Sequence, residues 1–246
     1  MVAFELERQF SSGLEDLYFT FQLTPKAGNN FHIASAAIKK EIANYYLDLI
    51  RKLNLTPTIL DVSTFANVNL GLSQDIANSP SVWALADISP EALDIALIKN
   101  NIIEFSRNLN WSKPKIKDAY SKESSDSAQL ESLSTEITKT LIDELQQALS
   151  SCRSIEGNEL VGHIFLTGGG VLNPYIVQEL EKETEVSTTA LKPPEPVNTL
   201  ESSPSSLTLT SLSLGLREIK KQNIETNLLP QDLRPKRKKV NLKVTL

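Results

Sequence analysis

The sequence predicts an α/β protein in which a small strand-and-helix unit precedes a larger α/β body. Three observations predict it. Apolar residues recur at every second position in some segments and at every third or fourth in others, the periods of strands and helices. The run Ile164, Phe165, Leu166, Thr167, Gly168, Gly169, Gly170, Val171, Leu172, Asn173, Pro174 joins an apolar strand to a helix start, a strand–turn–helix junction. Finally, 246 residues with 40% hydrophobic content can bury a sizeable core.

Val2, Phe4 and Leu6 alternate with Ala3, Glu5 and Glu7, so the chain should open on a strand. Residues 18–23 and 33–37 read as further strands, and Ile38, Ile42, Tyr45, Leu49 and Leu53 mark one face of a helix. Past Pro57, residues 58–62 read as a short strand, 65–72 as a short helix and 73–81 as a polar loop. Residues 83–88, 93–99 and 102–109 read as strands. Asn100 and Asn101 join the last two in a tight antiparallel hairpin, because asparagine tolerates the left-handed conformation such turns need. Residues 110–127 are rich in Lys, Ser and Asp and read as an exposed connection.

A long helix capped by Ser127 should follow, with Leu130, Leu133, Ile137, Leu141, Leu145 and Leu149 on its buried face. It leads through Gly157 to the strand 161–167 and the glycine turn. Asn173 suits an N-cap and Pro174 a first helical position, so a helix should start there. A short strand near 186–190, a Pro- and Ser-rich loop over 191–206 and a last helix over 207–221 complete the reading.

Composition excludes several function classes. One cysteine, Cys152, cannot form an internal disulfide, and His32 and His163 stand alone in apolar contexts, a poor pattern for a metal site. No stretch approaches the ~20 apolar residues of a membrane span, and the first ten residues do not suit a signal peptide, so a cytoplasmic compartment is the default. The net charge of −5 is uneven: residues 217–243 carry nine basic and three acidic side chains, leaving −11 on the rest. An acidic body is a poor nucleic-acid surface.

The glycine turn is the strongest candidate for a ligand-facing segment. Three consecutive glycines permit positive φ and close backbone approach, both useful to a nucleotide site, and a tight turn without a ligand explains them equally well. No catalytic base, nucleophile or metal cluster accompanies it.

The order of elements, the Phe165, Leu166, Thr167, Gly168, Gly169, Gly170 turn and the later Ser211, Leu212, Ser213, Leu214, Gly215, Leu216, Arg217 resemble the second half of the type IV pilus assembly protein PilM family. The opening Phe4, Glu5, Leu6, Glu7 and the helix ending in Leu53, Asn54, Leu55, Thr56, Pro57 resemble that family's inserted small subdomain. The resemblance implies an actin-like, ribonuclease H-like α/β domain with a mixed sheet and a small α+β inserted subdomain. It also implies three regions: an interaction subdomain at 1–57, an actin-like domain at 58–217 and a basic tail at 218–246.

By position, the resemblance places Gly168, Gly169 and Gly170 in a nucleotide pocket, and it sets Asp87, Ile88 and Ser89 where the family carries its second phosphate loop. Ser89 stands where glycine is expected, Pro90 lacks an N–H and Glu91 would repel phosphate. Asp87 is then either the remnant of a metal-water contact or an ordinary strand-end residue. No sequence like the family's first phosphate loop occurs, as if the first actin-like subdomain were lacking. The resemblance thus argues against ATP turnover, with ATP and magnesium expected only if a missing N-terminal subdomain completes the pocket.

The tail adds Thr226, Asn227, Leu228, Leu229 and Pro230, which resemble the N-terminal docking peptide of PilN, the inner-membrane partner of PilM. A plain apolar linker is the alternative. The basic Arg234, Lys236, Arg237, Lys238 and Lys239 follow, where such a protein approaches an anionic membrane surface. A similar body joined to a membrane span occurs in GspL of type II secretion. The resemblance implies a cytoplasmic adaptor at the inner membrane, with PilN- or PilO-like partners and a motor ATPase. The alternative is an ATPase of the actin and sugar-kinase superfamily.

Overall fold

The computed structural model describes residues 4, 7–8, 13–26, 30–74, 82–111, 127–153, 160–193, 208–219 and 221–235. The chain divides into two compact units, Met1–Val62 with Glu225–Leu246, and Ser63–Ile224. Residues 225 onward thus belong with the first 62.

In the first unit a 3₁₀ turn, Leu14–Asp16, leads into a two-stranded antiparallel sheet of β1 (Leu17–Lys26) and β2 (Asn30–Lys39). The register runs from Leu17 opposite Lys39 to Lys26 opposite Asn30. Helix α1 (Lys40–Lys52) packs on both strands and buries Ala43 and Leu47. The expected helical position of Ile38 is corrected: Ile38 and Lys39 pair with Tyr18 and Leu17, and that pairing holds the chain extended until Lys40. Of the expected opening strand, Phe4 is helical; Val2 and Leu6 lie outside the described residues. The expected strand at 58–62 is also corrected, since the segment has no sheet partner.

The second unit is built on a mixed sheet in the order β5-β4-β3-β6-β7, with β3 (Val82–Ile88), β4 (Ala92–Lys99), β5 (Ile102–Asn110), β6 (Ile164–Thr167) and β7 (Thr188–Ala190). β4 runs antiparallel to both of its neighbours, β3 and β5, whereas β3, β6 and β7 run parallel. Asn100 and Asn101 make the β4–β5 hairpin at φ +49° and +65°, the conformation their residue type suggested.

Because strand side chains alternate, the register sorts the faces. Ala84, Ala86 and Ile88 share one face with Leu93, Ile95, Leu97, Ile164 and Leu166. They join the core formed with Leu133, Ile137, Leu141 and Leu145 of α3 (Ser127–Arg153) and Ile176 and Leu180 of α4 (Pro174–Thr184). This is the expected stripe; the side chains of Ser127 and Leu149 lie outside the described residues. The opposite face carries Trp83, Leu85 and Asp87, and Trp83 stacks edge-on with Phe165 at 5.4 Å. Helix α2 (Ser63–Ser73) packs on β3 and β4 and also meets α5 (Leu209–Ile219). Every residue from Thr64 to Gly71 is buried, which a helix apolar on nearly all sides requires.

Candidate functional site

Two places carry the candidate residues, one in each unit. In the second unit, β3 and β6 end side by side, and the glycine turn follows β6. Gly168 has φ +81° and ψ −179°, a region only glycine occupies readily. Gly169 and Gly170 are buried in the 3₁₀ turn Gly169–Leu172. Close packing accounts for two of the three glycines. A Cβ on Gly168 would lie 2.3 Å from Asp87 Oδ1 and 2.6 Å from the Ile88 carbonyl, and one on Gly170 would lie 2.2 Å from Ile88 Cγ2. Asn173 caps α4 as expected: its side-chain oxygen accepts from the Tyr175 N–H at 3.0 Å, with Pro174 in the first turn.

The pairing register sets Asp94, Asp87 and Thr167 side by side across β4, β3 and β6, on the face that α2 covers. From α2, the Asn67 amide donates to Asp87 Oδ2 at 2.9 Å. Asn108 likewise donates to Asp94 Oδ1 at 2.7 Å. Burial, reinforced by the neighbouring Asp94 and opposed by the Asn67 hydrogen bond, pushes the Asp87 carboxyl up to about 6. Burial raises Asp94 too. The buried Asn67 Oδ1 and Thr167 Oγ1 have no hydrogen-bond partner among the described residues. Sequence reading missed Asn67, Asp94 and Thr167 as members of this cluster; the signal for Asn67 is one of two amides, with Asn69, inside a helix that is otherwise mostly apolar.

The second phosphate loop of the resemblance is here a closed hairpin turn. The Ser89 N–H donates to the Ala92 carbonyl at 2.9 Å, and its hydroxyl both donates to that carbonyl and accepts from the Ala92 N–H. The Trp111 indole donates to the Ser89 carbonyl at 2.9 Å. Ser89 is also not left-handed, since positive φ outside glycine occurs among the described residues only at Asn54, Asn100, Asn101 and Glu185. With its N–H and hydroxyl engaged inside the turn and Pro90 following, this loop does not fit a phosphate.

Asp87 has a pH signature. Its native pKa lies above the unfolded value, so the native state binds more protons between about pH 4 and 6 and loses stability as pH rises through that range. Asp87→Asn keeps an acceptor for Asn67 and removes the buried charge. The variant should match the parent near pH 4 and exceed it by roughly 2–3 kcal/mol above pH 7, read by denaturant unfolding. Equal stability at both pH values would refute the shift.

In the first unit the docking segment lies on residues 58–61. Asn227 Oδ1 accepts from the Leu60 N–H at 3.0 Å, and its amide donates to the Thr58 carbonyl at 3.1 Å. Leu228 N–H donates to the Leu60 carbonyl at 2.8 Å. Asparagine is suited to this place because one side chain supplies both a donor and an acceptor. Leu228 and Leu229 are 5% and 0% exposed. Arg234 closes the segment by donating to the Leu229 and Asn227 carbonyls at 2.8 and 2.9 Å. Thr226 donates to Asp61 Oδ1 at 3.3 Å, and the Glu225 N–H donates to Gln22 Oε1 at 2.7 Å. The segment expected as a strand at 58–62 thus serves a docked segment rather than a sheet. Pro230 precedes the 3₁₀ turn Gln231–Leu233. Lys236, Arg237, Lys238 and Lys239 lie outside the described residues. Among the described residues no helix is long and apolar enough to cross a membrane, and no group of three or more His, Cys, Asp or Glu could hold a metal.

Residues 1–214 match the family model described as type IV pilus assembly protein PilM. The solved PilM-PilN type IV pilus biogenesis complex superposes with a TM-score of 0.72 at 22% identity, over 89% of this chain and 71% of that one. A Bacteroides thetaiotaomicron protein of actin-like ATPase fold and unknown function gives 0.46 at 12% identity, over 86% and 63%. MreB 5 of Spiroplasma citri bound to AMPPNP gives 0.47 at 13% identity, over 74% and 65%. The chain therefore spans less than two thirds of the last two. No curated protein matches. The fold is the expected actin-like α/β class with a mixed sheet.

Proposed function

The chain belongs to the family of the type IV pilus assembly protein PilM, and from that premise we propose that it is an adaptor of the pilus inner-membrane assembly platform. In this reading it works on the cytoplasmic face and links membrane components to the motor ATPase. The observation that carries the reading is the segment Asn227, Leu228, Leu229 and Pro230, docked on residues 58–61 of its own chain. The similar solved assembly is a complex of PilM with PilN, which supports assigning this segment the part of a PilN-like peptide.

Burying the two leucines contributes on the order of 1.5–3 kcal/mol each, and tethering removes the cost of finding a separate partner. The adaptor body and its membrane-side element then travel as one polypeptide. Lys236, Arg237, Lys238 and Lys239 follow the docked segment and draw it towards anionic lipid, at roughly 1 kcal/mol per charge. PilN- or PilO-like membrane proteins complete the proposed set of partners, and no ATP chemistry is assigned to the closed Ser89 turn.

One experiment in the pilus-bearing host tests both parts. Leu228→Glu with Leu229→Glu should abolish piliation while the chain persists, and replacing the four lysine and arginine residues at 236–239 by glutamine should shift the protein out of the membrane fraction. Normal piliation in the first variant, or unchanged fractionation in the second, would contradict the proposal.

A further inference from the structure

Beside the docked segment the first unit holds a cavity of about 500 Å³. Residues 17–21 of β1 line it, together with Leu14, Lys40, residues 227–231 and Arg234. The five consecutive strand residues decide what kind of site this is. A cavity over one face of a strand meets every second side chain, whereas one along the strand's edge meets both sets and the main chain between them. This cavity follows the edge. Among the described residues β1 pairs only with β2, so no ladder among them occupies its outer edge.

An open strand edge beside a groove is the geometry of strand addition, in which main-chain hydrogen bonds give affinity and flanking side chains give preference. Phe19 and Phe21, 38% and 46% exposed, offer apolar contact to one face of an added strand. The charges select its composition. In a chain of net −5, the lining includes two cations, Lys40 and Arg234, and no carboxylate. Lys40 donates to the Glu15 carbonyl and lies 5.6 Å from the Tyr18 ring centroid, and Arg234 donates to the Leu229 and Asn227 carbonyls. The hydrogen bonds described for both go to neutral oxygens, so their positive charge remains available to a ligand.

We infer that the outer edge of β1 receives an extended acidic segment of a partner protein, with Lys40 and Arg234 meeting its carboxylates. Because residues 227–231 form part of the lining, the inference rests on the docked-segment reading. The docked tail completes a second peptide site.

The test uses the full chain and a fluorescently labelled peptide of four Val-Glu repeats, read by anisotropy. Its Val-Gln counterpart, and a version N-methylated at alternate residues along one edge, serve as comparisons. The expected result is saturable binding of the acidic peptide, weakened at least about tenfold by each peptide change and by Lys40→Glu, equivalent to about 1.4 kcal/mol or more. No binding, equal binding of the glutamine peptide, or indifference to Lys40→Glu would overturn the inference. Equal binding of the N-methylated peptide would indicate an anion site without strand addition and would overturn it as well. Amide exchange at Leu228 in the same samples separates the two levels: a protected tail without peptide binding defeats this inference alone, and an unprotected tail defeats the docking beneath it.

Discussion

Gly168→Ala should cost roughly 2–6 kcal/mol and lower the melting temperature by on the order of 10 °C or more, or prevent folding. Two costs add. The conformation at φ +81° and ψ −179° is one that a residue with a Cβ adopts only under strain. The new methyl would also lie 2.6 Å from the Ile88 carbonyl and 2.9 Å from its N–H, main-chain atoms that cannot rotate aside. Gly215→Ala is the control. It belongs to the helical run that helped identify the family, yet nothing lies within 4 Å of an added Cβ, so this substitution in α5 should stabilise by roughly 0.5–1 kcal/mol. Thermal unfolding of both variants checks the contrast, and similar melting temperatures would refute the packing role assigned to the turn.

Leu229→Ala should cost about 2–5 kcal/mol, the range for a leucine buried without exposure. The loss falls on a segment that docks on residues 58–61 rather than on the sheet of the second unit, so it should appear as local opening more than as global unfolding. Cleavage by a protease of broad specificity reads this out. The variant should be cut within residues 225–234 at least about tenfold faster than the parent, with little change at other sites. Unchanged cleavage would mean that the buried leucine does not hold the segment.

Much of this architecture was legible in the sequence because local chemistry and tertiary demand agree. Asn100 and Asn101 specify their hairpin, Asn173 and Pro174 start α4, and the leucine and isoleucine stripe of α3 faces the core. Local signals failed where a distant partner decides the outcome. The end of β2 is set by pairing with β1, which a helical spacing that begins at Ile38 conceals. Residues 58–62 read locally as a strand, yet their partners are more than 160 positions away.

The candidate sites divide in the same way. The tail segment was legible only through the resemblance of Asn227, Leu228, Leu229 and Pro230 to the PilN peptide, and its seat on residues 58–61 depends on main-chain partners far away in the sequence. The Asp87 cluster could not, because Asn67, Asp94 and Thr167 come from three separate elements and meet only through helix packing and strand register. The glycine run drew attention for the backbone freedom it offers a ligand. In the structure, Gly168 and Gly170 spend that freedom on close approach to Asp87 and Ile88.

Amide hydrogen exchange on the full chain reads the docking of the tail on its own small unit. The Leu228 and Leu229 N–H groups, which donate to the Leu60 carbonyl and Asn227 Oδ1, should exchange at least about a hundredfold more slowly than in an unstructured peptide of the same sequence, and Leu229→Ala should remove this protection. Exchange at unstructured rates in the parent chain would contradict the docking.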